Sequence, residues 1–306
     1  MQVGDPIRLQ QHQSYPWLGE KHLPIVIGDD LDAIMSALFM HDLLQWDVVG
    51  YYSGYNTLYI DPRYSLREVV FLDLDICYPN ARSIGHHIVN DGTLGYSHAA
   101  ICNSINPNLV RGVNLSNFRV KYPLATIHFL QWLFNSTVNY SNNMGYLIWM
   151  PDSAWINGQS HRFAANVESW ITYFDLAFLN STFSSIDTKN FETKMQLLYS
   201  QLASMGFTKQ GQIESHHLKI RGNQCQFDPG QAGDIVNVNQ LATYLSVQMN
   251  TANLLFPKTG NMKVYKGTRF GSLPPSSLVN FITQQPNLFS YAFDFAKHLN
   301  YTLLDV

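Results

Sequence analysis

Short apolar runs and longer helical periodicities alternate along the first half of the chain. Leu23 to Ile27 is an apolar run closed by Gly28, which predicts a buried parallel strand. Behind it, Ile34, Ala37, Leu38, Leu43 and Leu44 recur at helical spacing. Trp46 to Tyr52 and Val69 to Leu74 predict two further strands, Leu124 to Phe134 an apolar helix, and Tyr146 to Met150 another strand. Strands alternating with helices predict an α/β fold with a mostly parallel sheet covered on both faces. From Phe163 the pattern is helical to about Leu179, followed by a Ser/Thr/Asn-rich break over 180–190. A helix over Phe191 to Met205 comes next, then strand-like runs at Ile235 to Val238, Leu254 to Phe256 and Met262 to Tyr265 around a helix at Gln240 to Met249. The expected division is a sheet domain over 1–185 and a smaller α/β domain over 186–306.

Composition narrows the function classes. Apolar residues are 46% of the 306, which excludes global disorder, and a net charge of −3 with 13% charged residues argues against gripping long nucleic acid by bulk electrostatics. A short phosphate-bearing ligand stays allowed. Three cysteines without a C-x-x-C exclude a disulfide scaffold or Cys-rich zinc module and fit a reducing cytoplasm. Residues 1–20 carry no apolar leader, and no run approaches the roughly 18 apolar residues of a membrane span. The expectation is a soluble cytoplasmic protein that does not enter membranes.

Acidic and histidine residues gather where strands are expected to end. The four places are Gly28-Asp29-Asp30-Leu31-Asp32, Asp73-Leu74-Asp75, Gly85-His86-His87 and Pro151-Asp152-Ser153. In an open parallel sheet, ligands bind outside the carboxyl ends of the strands. Carboxylates brought together repel, and a divalent cation resolves the repulsion. Mixed carboxylate and imidazole donors suit Mn²⁺, with Mg²⁺ or Fe²⁺ as competitors. Singly, each cluster has a plainer use: Asp29, Asp30 and Asp152 as helix or turn caps, one of Asp73 and Asp75 as a structural group. The pair His216-His217 lacks acidic company and reads as surface.

In this order, the motifs resemble those of the DHH phosphoesterase superfamily, which includes single-strand exonucleases, nano-RNases, cyclic-dinucleotide phosphodiesterases and manganese pyrophosphatases. The resemblance covers roughly residues 24–155. It implies a DHH-like catalytic domain, a smaller substrate-binding domain, and metal-dependent hydrolysis of a phosphodiester or phosphoanhydride. The substrate would be a small nucleotide, cyclic dinucleotide or short oligonucleotide. Asp30 and Asp32 would divide between two metals, Asp73 would bridge them with Asp75 as alternative, and His86 and Asp152 would complete the second site. His87 would lie beside the substrate phosphate. The family's leading His falls on Gly28 and the Asp of its D-H-H on Gly85, so Asp29 or Asp75 would have to substitute. One tight ion is expected, with a second weak or recruited by substrate. Lys266 and Arg269, in a Gly-flanked basic turn, are the candidate phosphate contacts. The alternative is a catalytically degenerate DHH-like binding or scaffold protein.

Overall fold

The computed structural model describes residues 5–95, 97–136, 143–159, 162–185, 188–207, 212–215 and 220–306. Its main sheet has nine strands in the order β10-β11-β9-β3-β2-β1-β4-β5-β6. These are β1 Pro24–Ile27, β2 Asp47–Ser53, β3 Thr57–Ile60, β4 Val70–Leu72, β5 Arg82–Ile84, β6 Ser104–Ile105, β9 Lys263–Ser272, β10 Leu288–Phe295 and β11 His298–Leu304. A separate hairpin joins β7 Gln212–Ser215 to β8 Ile220–Asn223.

The fold class is α/β, and the sheet is mixed, with a parallel part and an antiparallel part. β2, β1, β4, β5 and β6 are parallel, and β2–β3, β3–β9, β9–β11 and β11–β10 are antiparallel pairs. The run at 24–27 lies between β2 and β4 with Ile25, Val26 and Ile27 fully buried, which is why it carries no polar alternation. β1 leads to its neighbour on one side, while β4 leads to β5 on the other. The strand order therefore reverses between β1 and β4, the crevice position where open sheets bind ligands.

Contacts divide the chain into two compact units, Met1–Gly28, Leu44–Lys121 and Thr259–Val306 in the first, and Asp29–Leu43 and Tyr122–Lys258 in the second. This differs from the expected 1–185 and 186–306. The physical reason is β9, whose residues pair with β3 from Thr57↔Lys266 to Ile60↔Lys263, so the C-terminal meander extends the first sheet. Phe289 of β10 anchors it, its ring 5.1 Å from that of Tyr52 and 5.8 Å from that of Phe71. The first unit holds all nine sheet strands, with helices α1 Pro6–Ser14, α3 Pro107–Arg111 and α11 Leu278–Gln284.

The second unit is mainly helical: α2 Leu31–Leu44, α4 Thr126–Leu133, α5 Met144–Leu147, α6 Ala154–Gln159, α7 Ala164–Tyr173, α8 Ala177–Ser185, α9 Thr188–Ser204 and α10 Ala232–Met249. Two expected strands are helical here. Tyr146 to Met150 begins in α5, and Ile235 to Val238 lies inside α10. A third, Leu254 to Phe256, has no regular structure. A short apolar run reads alike in a buried helix and a buried strand. Among the described residues, no helix is long and apolar enough to cross a membrane.

Candidate functional site

In the first unit, three neighbouring parallel strands deliver polar residues at their carboxyl ends. β4 is followed by Asp73 and Asp75, β5 by Gly85-His86-His87, and β6 by Asn106. Asp73 turns the chain out of β4 with φ 59°, in the left-handed region that a non-glycine residue enters at a cost. Its Oδ1 lies 3.6 Å from Nδ1 of the buried His86. The buried Asp75 carboxyl accepts the His87 N–H at 2.6 Å and the Asn106 side-chain N–H at 2.9 Å. Asn106 also caps α3, and Asn108 donates to the His86 carbonyl at 2.8 Å. Burial raises the Asp75 pKa, opposed by His86 and by those two donors.

Asp73, Asp75 and His87 line one cavity of about 180 Å³ together with Arg269, Tyr55 and Thr302. Residue 269, expected in a turn of a separate domain, instead sits within β9, paired with Thr302 of β11. Its guanidinium lies 5.1 Å from the Tyr55 ring centroid, a cation–π contact. Tyr55 itself has φ 54°, and its carbonyl accepts from the hydroxyls of Tyr52 and Thr302. Tyr52 is a further lining residue, its pKa pushed up to about 12 by burial, so its hydroxyl stays protonated near neutrality. Lys266 is exposed, three residues before Arg269, so the two point to opposite faces of β9. It does not line this cavity.

In the second unit, Asp29, Asp30, Asp32 and Asp152 form an acidic group. Asp32 is fully buried on α2 and accepts the Thr126 N–H at 2.6 Å and the Ile127 N–H at 2.9 Å, capping α4. Asp30 caps α2 through the Ala33 N–H at 3.2 Å. Burial, then the charges of Asp152, Asp32 and Asp29, raise the Asp30 pKa well above its ordinary value. Asp152 was expected at a strand end. It lies instead in the 3₁₀ turn Pro151–Ser153, and it and Ser153 both have positive φ, at 49° and 53°. The buried Gln224 holds this turn, accepting the Asp152 N–H at 2.9 Å and donating to Ser153 Oγ at 2.8 Å.

Each unit contributes candidate donors. Asp73 and His86 in the first unit offer ligand atoms within 4.8 Å of each other, and Asp32 and Asp152 in the second do likewise. A carboxylate beside an imidazole, and carboxylates whose mutual repulsion disfavours ionisation, both fit a divalent cation. His216-His217 lies outside the described residues. The positions not anticipated are Asn106, Tyr55 and Gln224. Asn106 before Pro107 is a recognisable helix start, whereas nothing local marks Tyr55 or Gln224. The chain matches no protein-family model, no curated protein and no solved structure.

Proposed function

We propose that this protein is a metal-dependent phosphoesterase acting on a small nucleotide-type substrate, with Mn²⁺ or Mg²⁺ as the ion. The observation that carries the reading is the cavity of the first unit, where Asp73, Asp75 and His87 share walls with Arg269. An arginine and carboxylates lining one cavity suit a phosphate that meets both a guanidinium and a cation. Arg269, fixed over Tyr55, forks onto non-bridging phosphoryl oxygens. His87, its backbone held by Asp75, lies beside the same group and exchanges a proton with it. Asp73 and His86 are the ligands of the tight ion in the first unit, and the carboxylates of Asp30, Asp32 and Asp152 serve a weaker one in the second. A bound divalent ion supplies Lewis-acid charge for phosphate-ester hydrolysis.

The cavity's size sets the reach of the substrate. About 180 Å³ is close to the roughly 150 Å³ that accommodates a benzene ring, which favours one phosphoryl group and its immediate neighbour over a long polymer. The test is release of phosphate or nucleoside monophosphate from mononucleotides, cyclic dinucleotides and short oligonucleotides, with and without Mn²⁺. Turnover that needs the metal and falls in Arg269→Ala supports the reading. A metal-loaded protein inert across the panel contradicts it and favours a binding protein built on the same residues.

A further inference from the structure

The turn from β2 into β3 is built on two left-handed residues. Gly54 and Tyr55 have φ of 59° and 54°, and the Asn56 N–H closes the turn on the Ser53 carbonyl at 3.2 Å. Turns of this hand favour Gly or Asn at their central positions, because the Cβ of a larger side chain crowds the neighbouring carbonyl there. Gly54 fits that rule. Tyr55 breaks it, at a conformational cost.

The backbone bonds at this position do not require a tyrosine. The Tyr55 carbonyl accepts from the hydroxyl of Thr302 and, at 2.9 Å, from that of Tyr52. With the Tyr52 proton committed to that carbonyl, the Ser290 hydroxyl donates to Tyr52 at 2.9 Å. Tyr52, Ser290 and Thr302 are buried, and a glycine at position 55 would offer them the same acceptor without strain. What the tyrosine adds is its ring. That ring belongs to a residue 42% exposed, so burial does not account for it. It meets the Tyr52 ring edge-on at 6.2 Å, and the Arg269 guanidinium lies 5.1 Å from its centroid. Tyr55 and Arg269 both line the cavity whose other walls include Asp73, Asp75 and His87.

We propose that Tyr55 is the positioning residue for Arg269, kept in a strained turn because its ring holds the guanidinium at the cavity wall for a phosphate. The inference rests on the role given to Arg269 above. Arg269 is exposed on β9, and an exposed arginine samples many rotamers that must be frozen when it grips a ligand. A ring against the guanidinium restricts that freedom before the ligand arrives, and it leaves the N–H edge for two oxygens of one phosphate. The ring is itself held in place, since the hydroxyls of Tyr52 and Thr302 fix the carbonyl of the same residue. The turn gives up stability, and the site gains affinity for phosphate.

The experiment compares the full-length protein with Tyr55→Phe, Tyr55→Leu, Tyr55→Ala and Tyr55→Gly, and repeats Tyr55→Leu in an Arg269→Ala background. The readouts are the Kd of inorganic phosphate by calorimetry, the Arg269 Nε–H proton shift in an arginine-¹⁵N sample, the thermal midpoint, and kcat and KM for metal-dependent phosphate release. Loss of the ring in the Leu, Ala and Gly variants should weaken phosphate binding by about two- to fivefold, the worth of an exposed cation–π contact, and raise KM with kcat little changed. It should also move the Nε–H proton downfield, away from the shielding face of the ring. Tyr55→Phe should keep both near the wild type. Tyr55→Gly should melt above Tyr55→Ala, since both lack the ring and glycine alone takes positive φ freely. Without Arg269, Tyr55→Leu should leave phosphate affinity unchanged. The proposal is overturned if Tyr55→Leu binds phosphate as tightly as the wild type, if Tyr55→Phe fails to restore the affinity, if the loss persists without Arg269, or if Tyr55→Gly melts below Tyr55→Ala. A wild type that binds phosphate but turns over no substrate ends the phosphoesterase reading, while the phosphate affinities and the Nε–H shift still decide the role of Tyr55. A wild type that binds no phosphate overturns both.

Discussion

Burial alone would raise the Asp91 pKa, yet its carboxyl accepts the N–H groups of Leu278, Thr93 and Leu94 and the Thr93 hydroxyl, and these hold it below the ordinary value. The Leu278 bond, at 2.6 Å, ties the loop after β5 to the first turn of α11. A depressed pKa means the stabilisation is present above the unfolded value, near 4, and is lost as pH falls through the folded one. Asp91→Asn should therefore cost about 1 kcal/mol at pH 7, the usual worth of a cap, and flatten the acid limb of the stability curve. Denaturant titrations across pH 3–7 check both. Asp30 runs the other way: with its pKa raised by burial and by Asp152, Asp32 and Asp29, its contribution favours the fold only at low pH and disappears as pH rises through the folded value. In metal-free protein, Asp30→Asn should stabilise the fold at pH 7 by on the order of 1 kcal/mol, read as a raised thermal midpoint. It should also weaken the second ion more than the first. A lowered midpoint would mean that the Ala33 cap outweighs the repulsion.

At the scale of elements, the C-terminal meander closes the cavity. Arg269 and Thr302 reach it from β9 and β11, and Phe289 on β10 packs into the apolar cluster with Phe71, Tyr52 and Leu58. Phe289→Ala should destabilise the protein by about 3–5 kcal/mol, as removal of a buried ring does, and weaken phosphate binding along with it. An unchanged denaturation midpoint would show that β10 is not anchored there. Residues 186–306 produced alone should show no cooperative unfolding by circular dichroism, because β9 would lack β3 as a partner. A cooperative transition in that fragment would restore the independent C-terminal domain. This is also where the sequence was hard to read. β1 and β4 were legible because central parallel strands are continuous apolar runs. α10 is divided in the sequence because Ile235 to Val238 is a short apolar run that reads as a strand, although Ile235 and Val238 continue the helical spacing of Leu241, Leu245 and Met249. The pairing of β9 with β3 spans some two hundred residues of sequence, and no local pattern announces it.

For the whole molecule, the candidate chemistry was more legible than its placement. Carboxylates and histidines follow the carboxyl ends of β1, β4 and β5 in the sequence, the strand ends at which open sheets bind ligands. That rule needs only the strands, which the apolar runs reveal. Asp152 reached the candidate set by the same rule, but its turn follows a helix and is held by Gln224, a partner some seventy residues away. Gly85 reads as a lost acid in the sequence, and in the fold a Cβ there would meet both the Asp75 carboxyl and the Leu74 backbone. The metal reading is the account's central claim, and calorimetric titration of Mn²⁺ into metal-free protein tests it most directly. It predicts one tight ion in the wild type, lost in both His86→Ala and Asp73→Ala and retained in Asp30→Ala. Absence of any bound ion in the folded wild type, or tight binding that survives both His86→Ala and Asp73→Ala, would contradict it.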